Sequence, residues 1–197
     1  MIKKSKLVII GYGGHARSCI EAITSENKYE VIGYIDKKKS LNDDNLEYFG
    51  DDSCLGNVKK FTDKAFICIG HIKSNEIRKT IYKNLKKLNF KLPTIVAATS
   101  YVSKESNLGE GTIVMHNVLV NTNVSIGINC IINSGSIIEH DTRIGDHNHI
   151  STSTIINGNV LIGDNNFIGS NSTVNDNLKI GDDKTIPSMT RVYKNII

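Results

Sequence analysis

From Val102 to Val192 every sixth position is Val, Leu or Ile, sixteen in succession without a slip, running Val102, Leu108, Val114, Val120 and on to Ile186 and Val192. Four residues after these positions the side chain is mostly small or slim, as at Ser106, Thr112, Val118, Val124, Cys130, Ser136, Thr142, Thr154, Val160 and Ser172. An aliphatic residue followed by a small one at a fixed period of six predicts a parallel β-helix. Each hexad makes one flat wall, and three hexads close a triangular coil. The aliphatic side chain fills the axis and the small one fits the corner. Five coils stacked at about 4.8 Å make a prism about 24 Å tall. Gly or Asn often follows the aliphatic residue, as at Gly109, Gly127, Gly145, Gly163, Asn121 and Asn157. Both types tolerate left-handed backbone, so the expectation is that they turn the corners. The hand of the coil is not set by the pattern.

The amino-terminal half follows a different period. Leu7 to Ile10 is a continuous apolar run, followed by Gly11-Tyr12-Gly13-Gly14-His15-Ala16 and a helical pattern through Ile20 and Ile23. This is strand, glycine turn and helix, and it fits G-x-G-x-x-A. A second strand, Val31 to Ile35, ends in Asp36, at the separation where a Rossmann domain places an acid near a ribose. A third, Ala65 to Ile69, ends at Gly70, and a helix over about 75–88 carries Ile77, Ile81, Leu85 and Leu88 at helical spacing. Phe90 to Ala97 reads as a strand leading into the repeat. Two domains follow, an α/β Rossmann-like domain over 1–95 and a β-helix over 96–197. About 95 residues are too few for a full dinucleotide site with a catalytic domain, so the glycines point to a nucleotide phosphate at a helix amino terminus. Tight strand-to-helix packing is the alternative, against which His15 at the helix start favours a ligand.

Composition narrows the functional classes. The formal charge of +4 is spread along the chain, with lysine runs that have no interleaved aromatic residues, which argues against nucleic acid. Cys19, Cys54, Cys68 and Cys130 form no CxxC pair and read as buried thiols of a reducing, cytoplasmic compartment. No segment approaches the roughly 18 apolar residues of a membrane span.

Four of the six histidines, His116, His140, His147 and His149, fall in the repeat at positions other than the inward aliphatic one. His140 is followed by Asp141, and an imidazole beside a carboxylate suits a general base. Neighbours on a strand point to opposite faces, so direct pairing requires a corner. A zinc site built on His140, His147 and His149, as in a hydrase, fits the spacing poorly.

The glycine turn at Gly11 to His15, the Pro-Thr-Ile-Val link at 93–96, Asn133, Ile-Glu-His-Asp at 138–141 and Ile-Gly-Asp-His-Asn-His-Ile at 144–150 occur in one order. That order resembles the bacterial sugar O- and N-acetyltransferases of the sialic-acid O-acetyltransferase type, in a pattern nearest the UDP-4-amino-sugar N-acetyltransferases. The resemblance implies a left-handed β-helix, a homotrimer with active sites between subunits, acetyl-CoA as co-substrate and no metal. It implies His140 as general base with Asp141 as the acid that raises its basicity, and His149, Ser170 and Ser188 on the acetyl-CoA side. It also implies Gly13, Gly14, His15, Asp36 and Gly70 in a nucleotide-sugar pocket, and Asn133 on the acceptor side. The segment 71–76 is longer than the pattern expects, and no Gly-x-Pro-Ala stretch follows the repeats. The activity implied is transfer of an acetyl group from acetyl-CoA to the amine of a UDP- or GDP-linked 4-amino-deoxysugar, as in surface-glycan synthesis. O-acetylation of sialic acid or a related sugar is the alternative chemistry, and a non-catalytic partner of a sugar-biosynthetic enzyme the alternative role.

Overall fold

The computed structural model describes residues 4–40, 46–72 and 74–197. The chain forms two compact units, one made of 1–70 and 76–93, the other of 71–75 and 94–197.

In the first unit, four parallel strands, β1 (Ser5–Ile10), β2 (Tyr29–Ile35), β3 (Glu47–Tyr48) and β4 (Ala65–Ile67), form a sheet in the order β3-β2-β1-β4. Helices α1 (Gly14–Glu26), α2 (Leu55–Val58) and α3 (Glu76–Lys87) connect or follow them. The run Leu7 to Ile10 is apolar at consecutive positions because a parallel strand is buried on both faces, and all four side chains are buried. Strand order reverses between β1 and β4, which opens a crevice at their carboxyl ends.

The buried face of α3 is Arg78, Ile81, Tyr82 and Leu85, whereas Ile77 is exposed. Arg78 takes the place expected for an aliphatic residue because its Nη1 donates to the carbonyls of Ile67 at 3.0 Å and Ile69 at 2.5 Å, at the end of β4. The expected strand over Phe90 to Ala97 is two pieces. Lys91 bridges to Lys64 in the first unit, and after Pro93, which donates no hydrogen bond, Ile95–Val96 starts the second.

In the second unit, seventeen two-residue parallel strands form three sheets of five, six and six among the described residues. Each strand pairs with the one eighteen residues later, so one coil is eighteen residues and three walls. The first wall begins with Ile95–Val96 and Ile113–Val114, the second with Tyr101–Val102 and the third with Asn107–Leu108. The coil therefore starts one hexad earlier than the Val102 register. The second residue of each pair points inward, giving a continuous axis from Val114 through Ile132, Ile150 and Ile168 to Val192.

The small residue at the corner does more than fit. Thr112 Oγ1 donates to the carbonyl of Gly127 at 2.8 Å and accepts from the N–H of Cys130 at 2.9 Å, so one hydroxyl ties two coils. Ser106, Thr142 and Ser172 repeat this bond pair at other corners. Buried backbone groups that the turn leaves unpaired are satisfied this way.

The residue that turns the corner is not the Gly or Asn directly after the aliphatic one. Left-handed φ falls three positions after it, at Gly111, Asn117, Asn123, Asn129, Gly135, Asp141 and onward to Met189. Gly127, Gly145 and Gly163 serve another purpose. A Cβ on Gly145 would overlap Asp164 Oδ1, which accepts the N–H of Asp146 at 2.7 Å, and the same stack recurs between Gly163 and Asp182. Glycine is needed there to let a carboxylate cap the turn of the coil below.

Candidate active site

In the first unit the glycine turn divides into two functions. Gly11 has φ +89°, and a Cβ there would overlap Ile69 Cγ1, so it serves the packing of β1 on the end of β4. Gly13 and Gly14 are exposed, and a Cβ on either meets nothing within 4 Å. No hydrogen bond among the described residues uses the N–H groups of Gly13 and Gly14 at the start of α1, the position in a fold that receives a phosphate. Asp36 at the end of β2 braces this turn. Its Oδ2 accepts the N–H of Tyr12 at 2.8 Å and its Oδ1 that of Lys37 at 2.6 Å.

His15, the second residue of α1, lies against Gly70. A Cβ on Gly70 would come within 3.3 Å of the imidazole, so Gly70 leaves the ring its room, and the buried His15 Nε2 has no hydrogen-bond partner among the described residues. Behind it Cys19 and Cys68, both buried, share a hydrogen bond; that bond is the largest cause lowering the Cys19 thiol, while burial pushes the Cys68 thiol up. A cavity of about 380 Å³ opens at the strand ends, lined among others by Ile10, Gly11, Ile35, Asp36 and Ile69.

In the second unit, Asp141 occupies the left-handed corner position with φ 62°. This turn lets neighbouring side chains meet, and His140 Nδ1 lies 2.8 Å from Asp141 Oδ2. Asp141 Oδ1 accepts from Asn123 Nδ2 at 2.6 Å. The hydrogen bonds from His140 and then Asn123 hold the Asp141 carboxyl below its ordinary 3.8, so it is anionic and His140 Nδ1 is the donor. That tautomer leaves the Nε2 lone pair as the basic site. Gly158, one coil on, is shaped to this ring, since a Cβ there would come within 2.7 Å of His140 Cε1 and Nε2.

His149 stands on the first wall but is buried. Its Nδ1 lies 2.6 Å from the carbonyl of His71, which can only accept, so Nδ1 carries the proton. Nε2 then accepts from Asn133 Nδ2 at 3.2 Å. The ring meets His71 and Phe167 edge-on, each with centroids 5.2 Å away. Asn75 anchors the other end of the same segment, donating to the His147 carbonyl at 3.1 Å and to Asn165 Oδ1 at 3.0 Å. His71 and Asn75, within the extra length of 71–76, therefore belong to the second unit and tie to it, while Glu76 begins α3; Lys73 lies outside the described residues.

Ser170 and Ser188 stack one coil apart on the corner between the first and second walls, with Met189 N–H donating to the Ser170 carbonyl at 2.8 Å. Among the described residues the N–H groups of Thr152, Ser170 and Ser188 are not used within the chain, leaving a row of outward donors on this corner. Asn133 is on this corner too. His140 and Asp141 are on the corner between the second and third walls, so the second wall separates them from Asn133, Ser170 and Ser188. His147 is on the remaining corner, and no group of three or more His, Cys, Asp or Glu among the described residues is arranged to hold a metal ion. No helix among them is long and apolar enough to cross a membrane.

Signals for Gly158, Asn123, His71 and Asn75 were present as residue types, but each acts through a neighbour eighteen or more residues away, which no local motif displays.

Residues 6–85 match the family model described as the PglD N-terminal domain, and residues 141–176 match that of the bacterial transferase hexapeptide (six repeats). No curated protein matches the chain significantly. Among solved structures, a variant of perosamine N-acetyltransferase from Caulobacter crescentus in complex with CoA and GDP-perosamine is 26% identical. That match has a TM-score of 0.87 and covers 100% of this chain and 91% of that one. The acetyltransferase domain of PglB from Neisseria gonorrhoeae in complex with acetyl coenzyme A is 24% identical, with a TM-score of 0.91 and coverage of 98% and 93%. The fold shared with these structures is the α/β domain followed by a left-handed β-helix. The chain thus joins a PglD-type N-terminal domain to transferase hexapeptide repeats, the architecture of the bacterial sugar acetyltransferases.

Proposed function

We propose that the chain is an acetyl-CoA-dependent N-acetyltransferase acting on the amino group of a nucleotide-linked amino sugar. The observation that carries this reading is the His140–Asp141 pair, a base held in one tautomer, in a chain similar over its full length to a perosamine N-acetyltransferase. Residues 1–95 bind the nucleotide sugar in this proposal, with the diphosphate on the N–H groups of Gly13 and Gly14, the ribose beside Asp36, and His15 and Gly70 flanking the pocket. Residues 96–197 carry the chemistry.

The acceptor amine attacks the thioester carbon, forming a C–N bond as its proton passes to His140 Nε2. Collapse of the tetrahedral intermediate breaks the C–S bond, and the imidazolium returns the proton to the leaving thiolate. The outward amides of Ser170 and Ser188 are suited to carbonyl oxygens of acetyl-CoA, and backbone amides also suit the oxyanion. In this reading His149 lies on the acetyl-CoA side, and Asn133, hydrogen-bonded to its Nε2, lies on the acceptor side.

Within one chain the base and the outward amides are on opposite corners of the second wall. That wall presents Tyr101, Leu119, Ile137 and Ile155 outward, with Tyr101 exposed and the other three half-buried. A wall that is apolar over its first four strands, with Thr173 and Arg191 outward on the last two, lies between the two half-sites and supports a homotrimer in which His140 of one copy meets the Ser170 corner of the next.

The test is release of free thiol from acetyl-CoA by the purified protein across UDP- and GDP-linked amino sugars and free sialic acid. Release is expected with a nucleotide amino sugar, and His140→Ala should lower turnover by about 10²–10⁴. Release with sialic acid alone would replace amide by ester chemistry. Silence throughout would favour a non-catalytic role, and near-wild-type turnover in His140→Ala would sink the base assignment.

A further inference from the structure

The proposed function leaves the base of the nucleotide open, and the cavity at the ends of β1, β2 and β4 bears on it. Its walls are apolar, built from Ile10, Ile35, Ile69, Ile77 and Ile81, and its volume of about 380 Å³ suits a small planar ligand. Four charged residues line it: Asp36, Lys37, Asp52 and Glu76. Two of these are already engaged, Asp36 with the backbone N–H groups of Tyr12 and Lys37, and Glu76 with Lys79 at 2.8 Å. The Asp52 carboxylate and the Lys37 ammonium have no partner within the chain among the described residues.

An apolar slot with one unpaired acceptor and one unpaired donor at its edge selects among bases by the pattern on their polar side. Guanine presents a carbonyl acceptor, O6, next to two donors, N1–H and the N2 amino group. Uracil presents one N–H between two carbonyls, so a carboxylate meeting that N–H also faces two acceptors. Cytosine and adenine each offer a single amino donor beside an acceptor ring nitrogen. A purine also covers more of the isoleucine wall than a pyrimidine does.

We infer that this site selects a guanine nucleotide over a uracil one, with Asp52 accepting from N1–H and the N2 amino group and Lys37 donating to O6. The inference rests on the nucleotide-sugar reading above. It differs from the UDP-linked pattern that the sequence resembles most.

Isothermal titration of the full chain with GDP and with UDP tests it, alongside Asp52→Asn. Asp52 is exposed, so the substitution leaves the fold intact. GDP should bind at least about tenfold more tightly than UDP, as expected for hydrogen bonds to a charged group. Asp52→Asn should lower GDP affinity by about tenfold and make UDP binding no weaker. UDP binding as tight as GDP would overturn the base assignment while leaving acetyl transfer standing. A GDP preference that survives Asp52→Asn would overturn the part given to Asp52, and binding of neither nucleotide would overturn the nucleotide-sugar reading with it.

Discussion

Gly14→Ala separates a glycine kept for a ligand from one kept for packing. Gly14 is the first residue of α1, and the added methyl group meets nothing within 4 Å. Replacing Gly by Ala where the backbone allows it stabilises by about 0.4–1 kcal/mol, chiefly by restricting the unfolded chain. For a chain of this length that corresponds to a rise in Tm of about 1–4 °C. The same methyl occupies the surface on which the diphosphate is proposed to rest. Losing one charge-assisted hydrogen bond to an N–H costs about 1.5–3 kcal/mol, a rise in nucleotide-sugar KM of about 10- to 150-fold. His140 belongs to the other unit, so kcat at saturating substrate should hold. Gly11→Ala is the contrasting case: overlap with Ile69 and a left-handed φ of +89° together cost about 2–5 kcal/mol of stability. Thermal melts and steady-state kinetics on both variants decide the matter. A Gly14→Ala protein with raised Tm and unchanged KM would refute the phosphate cradle, and one with lowered Tm would refute the claim of open space.

Other expectations follow from the second unit. Gly158→Ala should displace the His140 imidazole and lower kcat while leaving the KM for acetyl-CoA near its original value, since the ring and not the corner amides is disturbed. Asp141→Asn should lower turnover by about tenfold or more, because the tautomer is no longer enforced. In the wild type, NMR of the Asp141 carboxyl should show titration below 3.8. Because the folded-state value is depressed, its stabilising contribution is present above the ordinary carboxylate range and is lost only as pH falls through the lowered value. Gly145→Ala should push Asp164 off the N–H of Asp146 and overpack the coil, at a combined cost of about 3–5 kcal/mol by denaturant titration.

The β-helix was legible because its period reflects a repeated physical demand, one aliphatic side chain per wall on a common axis. The corner was less so. Gly127 and Gly145 look like turn residues, yet they are glycines because a carboxylate from the next coil sits over them, that of Asp146 over Gly127 and that of Asp164 over Gly145. The left-handed position was visible as a row of Asn at 117, 123, 129, 159, 165, 171 and 177, and it also explains how adjacent His140 and Asp141 meet. In α3, Ile77, Ile81 and Leu85 promised an apolar stripe, but the buried face turns toward Arg78, whose charge is spent on two strand-end carbonyls. The strap formed by His71 and Asn75 left only a trace in the sequence, an unexpected length, and its bonds fix the His149 tautomer.

The central claim is formation of an amide on a nucleotide-linked sugar. Incubating the protein with carbonyl-labelled acetyl-CoA and the nucleotide amino sugar that gives the fastest thiol release, then recording the product by NMR, tests it most directly. One labelled carbonyl bonded to an amide nitrogen on the sugar is expected, formed about 10²–10⁴ more slowly with His140→Ala. A labelled ester resistant to neither base nor hydroxylamine, or label remaining entirely on coenzyme A, would contradict it.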